Sequence, residues 1–158
     1  MSDWIKAMNP TAPVTTEAEA LRAGRASALS IFIGAAVGAL SLAWSALNPT
    51  AASSANAAAG QAALGIAAAM VVIQLVLGWV QWREPRKIIA IIFLLLIAFG
   101  VLSSLAAPMM AGMVPDMPAI PMWQIALSVV IMAVQAVLHF AGLRGINKLD
   151  ALQMDAAR

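Results

Sequence analysis

Four stretches of about twenty residues that lack Asp, Glu, Lys and Arg dominate this sequence of 158 residues. An α-helix rises ~1.5 Å per residue, so each stretch is long enough to cross a hydrocarbon core ~30 Å thick. Apolar residues make up 63% of the chain and charged residues 10%, whereas a soluble domain carries about 25% charged residues. The sequence therefore predicts an all-α integral membrane protein, a four-helix bundle with up-down-up-down topology. The predicted spans are 26–47, 61–82, 88–107 and 123–143.

Helix boundaries can be predicted from capping residues and prolines. Thr16 and Glu19 fit a capping box, so a helix should begin near Glu17 and continue without a break into the first span. Pro85 should separate the second span from the third, and Pro108 should end the third.

The spans divide the chain into three parts. Residues 1–25 form a cytoplasmic tail, mobile or surface-lying over 1–15, and contain the start of the first helix. Residues 26–143 form the transmembrane domain, in which the third span should face lipid most because its first half lacks polar side chains. Residues 144–158 form a second cytoplasmic tail. It should continue the fourth helix along the interface, with Ile146, Leu149 and Leu152 on one face.

All nine basic residues should lie on one side of the membrane. They fall before the first span, between the second and third, and after the fourth. Short loops rich in Lys and Arg remain in the cytoplasm. We therefore expect both termini to be cytoplasmic, in the bacterial plasma (inner) membrane.

Small residues on the first two spans suggest close helix contacts. Gly34 and Gly38 form a GxxxG motif, and Gly65 belongs to a glycine- and alanine-rich surface on the second span. Such residues let helix backbones approach closely in lipid. Two interpretations remain open: packing of the first two helices within one chain, or a homo-oligomer interface.

A polar cluster is predicted near the cytoplasmic ends of the second and fourth spans. Gln74 and Gln135 each lie eight residues from the inner end of their span, so both lie ~12 Å from it. Amides at this depth need partners. We expect the two glutamines to bond to each other, with His139 one turn nearer the cytoplasm. The cluster either joins helices by hydrogen bonds or forms a polar path or binding site.

Two further groups of residues suggest binding sites. The loop between the third and fourth spans contains Met109, Met110, Met113 and Met117. Thioethers select Cu(I), so this loop is either a soft-metal site or an apolar lid. The inner loop contains Arg83, Arg86 and Lys87, which either bind lipid headgroups or only set the topology.

The sequence lacks the residues on which several classes of function depend. The chain has no cysteine and one histidine, which excludes thiolate chemistry and single-chain zinc sets, and leaves a haem without a second axial histidine. Paired carboxylates, a glycine-rich phosphate loop and a nucleophile elbow are missing. The scattered basic residues form no patch for nucleic acid.

The sequence thus favours a protein that is not an enzyme, and no feature of the sequence requires a cofactor. The expected function is that of a non-catalytic membrane component, self-assembling as a homo-oligomer or an accessory subunit of a larger membrane complex. The alternative is a transporter or carrier of a small uncharged or soft-metal solute. The lipid bilayer is the first expected partner.

Overall fold

A computed structural model describes residues 3–47, 57–111 and 121–157. Within these ranges the chain is all-helical and contains no strand. Four of the helices, all after the first, are long and apolar enough to cross a membrane. The helices are α1 Asp3–Met8, α2 Glu17–Leu47, α3 Ala57–Arg83, α4 Lys87–Ala111 and α5 Met122–Ala156.

The predicted capping box starts α2. The amide of Glu19 donates to Thr16 Oγ1 at 3.3 Å, and Glu19 Oε2 accepts from the amide of Thr16 at 3.4 Å. The helix then runs unbroken for 31 residues. The expected start and its continuation into the first span are both confirmed.

Helix α4 extends further than the sequence indicated, whereas α5 extends into the C-terminal tail as expected. Pro108 lies inside α4, which continues to Ala111. A proline near a helix end removes one backbone hydrogen bond, so the last residues can still follow it. Helix α5 passes through Arg144 and ends at Ala156, which confirms the helical C-terminal tail. Ile146 is buried in this tail.

The N-terminal segment folds back onto the long helices, where a mobile or surface-lying tail was expected. Helix α1 packs against α2 and α5. Trp4 stacks on Trp82 with ring centroids 5.8 Å apart, and Asp3 pairs with Arg22 at 2.6 Å. Sequence periodicity missed this helix because it spans six residues and its partners are distant in the chain.

The long helices pack in the order α3, α2, α5, α4. Helix α2 packs against both α3 and α5, and α4 packs against α5. No packing of comparable extent joins α3 to α4 in the described part of the chain. The four helices therefore form an open row, with a gap between its two outer members.

Close packing is concentrated at one end of this row, which we call the charged end. There Lys87 pairs with Asp150 at 2.9 Å, and Arg25 donates to the carbonyl of Trp82 at 3.1 Å. Buried residues on α2 end at Ala35, and the remainder of that helix is largely exposed, including Leu40 and Leu47. The helices thus separate away from the charged end.

The second span, not the third, is the least covered by other helices. Its most apolar window is 6% buried, compared with 11% for α4, 28% for α5 and 33% for α2. Position in the row explains why α3 and α4 are less covered than α2 and α5, because each of them has one extensively packed neighbour among the described helices. The lack of polar side chains in the third span therefore did not predict which span is least covered.

Candidate functional site

The three residues of the predicted polar cluster line one cavity of about 180 Å³. Gln74 reaches it from α3, and Gln135 and His139 reach it from α5. Helix α2 contributes Ser30, Ile31 and Gly34, and α4 contributes Phe93, Leu96 and Ile97, with Met132 from α5. The cavity is therefore bounded by all four long helices.

His139 is fully buried at this cavity. Its Nδ1 lies 2.7 Å from Ser27 Oγ, and its ring stacks on Phe93 with centroids 5.7 Å apart. The tautomer of the imidazole sets which of these two atoms donates. Nε2 is buried and has no hydrogen-bond partner in the described part of the chain. Nε2 is therefore an unpaired polar atom within the described structure.

Gln135 bonds to α2, and not to Gln74 as expected. Its Nε2 donates to the carbonyl of Ser30 at 3.3 Å, while Ser30 Oγ donates to the carbonyl of Gln135 at 3.0 Å. Gln74 Oε1 is buried without a partner among the described residues. The two glutamines share the cavity, but no hydrogen bond joins them.

Gly34 explains why Gln135 reaches the backbone of α2. A Cβ at position 34 would lie 3.0 Å from Gln135 Nε2 and 3.6 Å from Gln74 Oε1. The missing side chain therefore opens the Ser30 carbonyl to the amide. Once Gln135 is bonded there, Gln74 keeps an unpaired oxygen.

The other two predicted packing glycines differ from each other. A Cβ at Gly38 would lie 3.0 Å from Val71, so Gly38 packs against α3 within the chain. Gly65 is exposed, and nothing lies within 4 Å of a Cβ built there. Gly65 therefore takes no part in helix packing inside the described structure.

The closest helix approach involves glycines that the sequence analysis did not identify. A Cβ at Gly142 would lie 2.5 Å from Ser27 Cβ, and one at Gly145 would lie 2.6 Å from the carbonyl oxygen of Ala20. These glycines hold α5 against α2 at the charged end. The available signal was the pairing of Gly142 and Gly145 with small residues at every third or fourth position of α2, from Ala20 to Ser27.

The sequence analysis also did not identify Gln81 as a buried residue. Its side chain is fully buried, and Oε1 accepts from the backbone amide of Arg86 at 3.0 Å. This bond fixes the turn between α3 and α4. Gln81 is structural and lies outside the cavity lining.

The cavity continues away from the charged end. A neighbouring cavity of about 360 Å³ shares Gly34, Met132 and Gln135 with it. A further cavity of about 300 Å³ between α4 and α5 shares Ser104 and Ser128 with the second, and reaches Gln124. Towards the charged end, α2 and α5 are in close contact at Ser27 and Gly142.

Part of the methionine cluster can be located. Met109 is exposed near the end of α4. The side chain of Met110, and the whole of Met113 and Met117, lie outside the described residues. The soft-metal site therefore remains a prediction.

Each residue of the basic loop has a partner within the chain. Arg83 lies over the ring of Trp79 at 5.5 Å, Arg86 pairs with Glu84 at 2.7 Å, and Lys87 pairs with Asp150. The hydrogen bond from Arg86 lowers the pKa of Glu84 below its ordinary value. All three basic side chains are nevertheless exposed, so a headgroup can still reach them.

Comparisons with protein-family models, with curated proteins and with solved structures gave no match. The residues and contacts described above therefore carry the functional inference.

Proposed function

We propose that this chain is an integral protein of the bacterial inner membrane, with four spans in up-down-up-down order and both termini in the cytoplasm. Contacts between helices support this course. On α2, Gly24 lies beside Pro85 and Gly38 beside Val71, so α2 and α3 run in opposite directions. The charged end contains basic residues from all three segments of the chain that carry Lys and Arg. Such residues are typical of short cytoplasmic loops.

Cysteine labelling tests this topology, because the chain has no cysteine of its own. Single cysteines at Ser54 and Asp116 should react with an impermeant thiol reagent added to intact cells. A cysteine at Arg86 should react only after the membrane is opened. Labelling of Arg86→Cys in intact cells would contradict the proposed orientation.

Within the membrane, we propose that the protein is a non-catalytic component that assembles with further membrane-embedded helices. The observation that supports this is the separation of the helices away from the charged end. Ser103, Gln124 and Ser128 are exposed there and line the cavity between α4 and α5. Lipid hydrocarbon cannot form hydrogen bonds with these polar side chains, whereas polar groups of a neighbouring helix can.

Native mass spectrometry of the protein extracted from its own membranes in nanodiscs tests the assembly. We expect a mass above that of the monomer, either a homo-oligomer or a complex with another chain. Ser128→Val should shift the population towards monomer. Ser45→Val is the matched control, because the Ser45 hydroxyl already donates to the carbonyl of Ser41 in its own helix at 2.9 Å. A monomer alone in the wild-type sample would contradict the proposal.

A second candidate function is favoured by the row of cavities. Its polar residues, from His139 to Gln124, support a carrier for a small uncharged solute. Proteoliposomes placed in a glycerol gradient should then re-swell faster than empty liposomes, and His139→Phe should remove the difference. Equal swelling of protein-containing and empty liposomes would argue against passage of such solutes.

A further inference from the structure

We propose that an anionic phospholipid binds the exposed face of α3, with its phosphate at Arg83 and one acyl chain along the aliphatic side chains that precede Arg83 in the helix. This lipid site rests on the proposed insertion into a membrane and does not depend on assembly. Three features support it: the order of residues along this face, the lack of an ion pair at Arg83, and the charge balance of the loop that follows α3.

The exposed face of α3 carries a cation, an aromatic ring and aliphatic side chains in that order. From the charged end inwards, these residues are Arg83, Trp79, Val76 and Val72. Their spacings of four, three and four residues place them on one side of the helix. All of them are exposed, and each of the three apolar side chains is more than half exposed. Helix α2 packs on another side of α3, where a Cβ at Gly78 would lie 2.7 Å from the ring of Phe32.

This order of residues matches one phospholipid in one leaflet. The eleven residues from Val72 to Arg83 rise ~16 Å, about half of a hydrocarbon core ~30 Å thick. Tryptophan rings lie at the level of the headgroups, and long basic side chains extend towards them. The Arg83 guanidinium lies over the ring of Trp79, 5.5 Å from its centre. The positive charge is therefore placed where the phosphate of a lipid lies.

Arg83 is the basic residue of this loop whose charge is not paired within the described part of the chain. Arg86 pairs with Glu84 at 2.7 Å, and Lys87 pairs with Asp150 at 2.9 Å. Arg83 forms no such ion pair among the described residues. A guanidinium binds phosphate through two parallel N–H donors. Because Arg83 is also exposed, a phosphate oxygen can reach it from the bilayer.

The charge balance of the loop favours an anionic lipid over a zwitterionic one. The three basic residues and the two acids that pair with them leave one positive charge uncompensated. Phosphatidylglycerol carries one negative charge and balances it. Phosphatidylcholine brings a cation of its own, and both acids of this loop are already paired.

Native mass spectrometry of the delipidated full chain in detergent tests the site. The protein is titrated with phosphatidylglycerol and, separately, with phosphatidylcholine that has the same acyl chains. The first phosphatidylglycerol should bind about fivefold more tightly, as expected for one basic residue against an anionic headgroup. Arg83→Gln should abolish this preference, and an unchanged thermal unfolding midpoint shows that the variant retains its fold.

Two controls separate the site from general charge and from soluble anions. Arg22→Gln lowers the net charge by the same amount, but Arg22 is ion-paired with Asp3 at 2.6 Å, so this variant should keep the preference. Glycerol phosphate should not displace bound phosphatidylglycerol, because it has no acyl chain to lie along Val76 and Val72.

Four results would each overturn the proposal: equal binding of the two lipids by the wild type, a preference that survives Arg83→Gln, an equal loss in Arg22→Gln, or displacement by glycerol phosphate. Lipid adducts are counted separately on the monomer and on larger masses, and thiol labelling reports the orientation. Failure of the lipid site is therefore distinguishable from failure of the proposed topology or assembly.

Discussion

Ser27 on α2 and His139 on α5 share a hydrogen bond of 2.7 Å between Oγ and Nδ1, and both residues are fully buried. The bond joins two helices at a point 112 residues apart in the sequence. It also occupies Nδ1 and leaves Nε2 as the ring nitrogen without a partner among the described residues. One contact thus holds the helix pair together and sets the chemistry of the site.

Removing the hydroxyl should destabilise the protein. Ser27→Ala leaves Nδ1 buried without a partner, which should cost about 1–3 kcal/mol. Combining it with His139→Phe removes both partners, so the double variant should be more stable than Ser27→Ala alone. Thermal unfolding in detergent measures this, and a double variant less stable than both single variants would show that the bond is not the relevant interaction.

The two cavity glutamines should respond differently to leucine. Gln135→Leu removes a bond to the Ser30 carbonyl and should cost about 1 kcal/mol. Gln74→Leu removes a buried oxygen that has no partner, so stability should stay the same or rise. The free energies of unfolding of the two variants, measured side by side, show which substitution costs more stability. Greater loss for Gln74→Leu would mean that Gln74 has a partner in the folded protein.

Added methyl groups at the α2–α5 contact should separate these helices. Gly142→Ala and Gly145→Ala place a Cβ against the backbone of α2, and overpacking of this kind costs about 1–3 kcal/mol. Gly65→Ala is the control, because its Cβ would meet nothing within 4 Å and alanine favours helix by up to about 1 kcal/mol. The thermal unfolding midpoints of the three variants are compared in one detergent. A Gly145→Ala variant as stable as the wild type would contradict the close approach of α5 to α2.

Docking of α1 should weaken in acid. Glu19 precedes the first span, and its hydrogen bond from Lys6, followed by those from Thr15, lowers the pKa of Glu19 from an ordinary 4.5 to about 2. A group whose pKa falls on folding contributes stability above its unfolded pKa, and this contribution disappears as the pH falls towards the folded pKa. The contribution should therefore be complete above pH 4.5 and lost between pH 4.5 and 2.

Glu19→Gln isolates the charge, since glutamine can still complete a capping box. Its melting temperature should lie below that of the wild type at pH 6, and the two should converge by about pH 2. A difference that does not change with pH would show that the charge of Glu19 contributes nothing.

The methionine loop should bind Cu(I) or Ag(I) if its thioethers act as ligands. Replacing Met109, Met110 and Met113 together by leucine keeps the apolar character and removes three sulfurs. Metal retained on the purified protein, measured by mass spectrometry, should then fall. If the leucine variant retains as much metal as the wild type, the thioethers are not ligands, and the loop is better interpreted as an apolar lid.

Several features of the site could be predicted from the sequence because they depend on position along a helix. The distances of Gln74 and Gln135 from the ends of their spans placed both at one depth, and the structure brings them to one cavity with His139. Their hydrogen bonds could not be predicted this way. Whether Gln135 meets Gln74 or the Ser30 carbonyl depends on the space left by Gly34 on a third helix.

The sequence by itself determined the helices and the grouping of charges, because a long apolar run, a capping box and a basic loop act through neighbouring residues. Tertiary structure decided the rest. It placed α3 at the edge of an open row, folded α1 against Trp82, and brought Gly142 and Gly145 against α2. These outcomes depend on the fit between surfaces far apart in the chain, and helical periodicity carries no information about which surfaces fit.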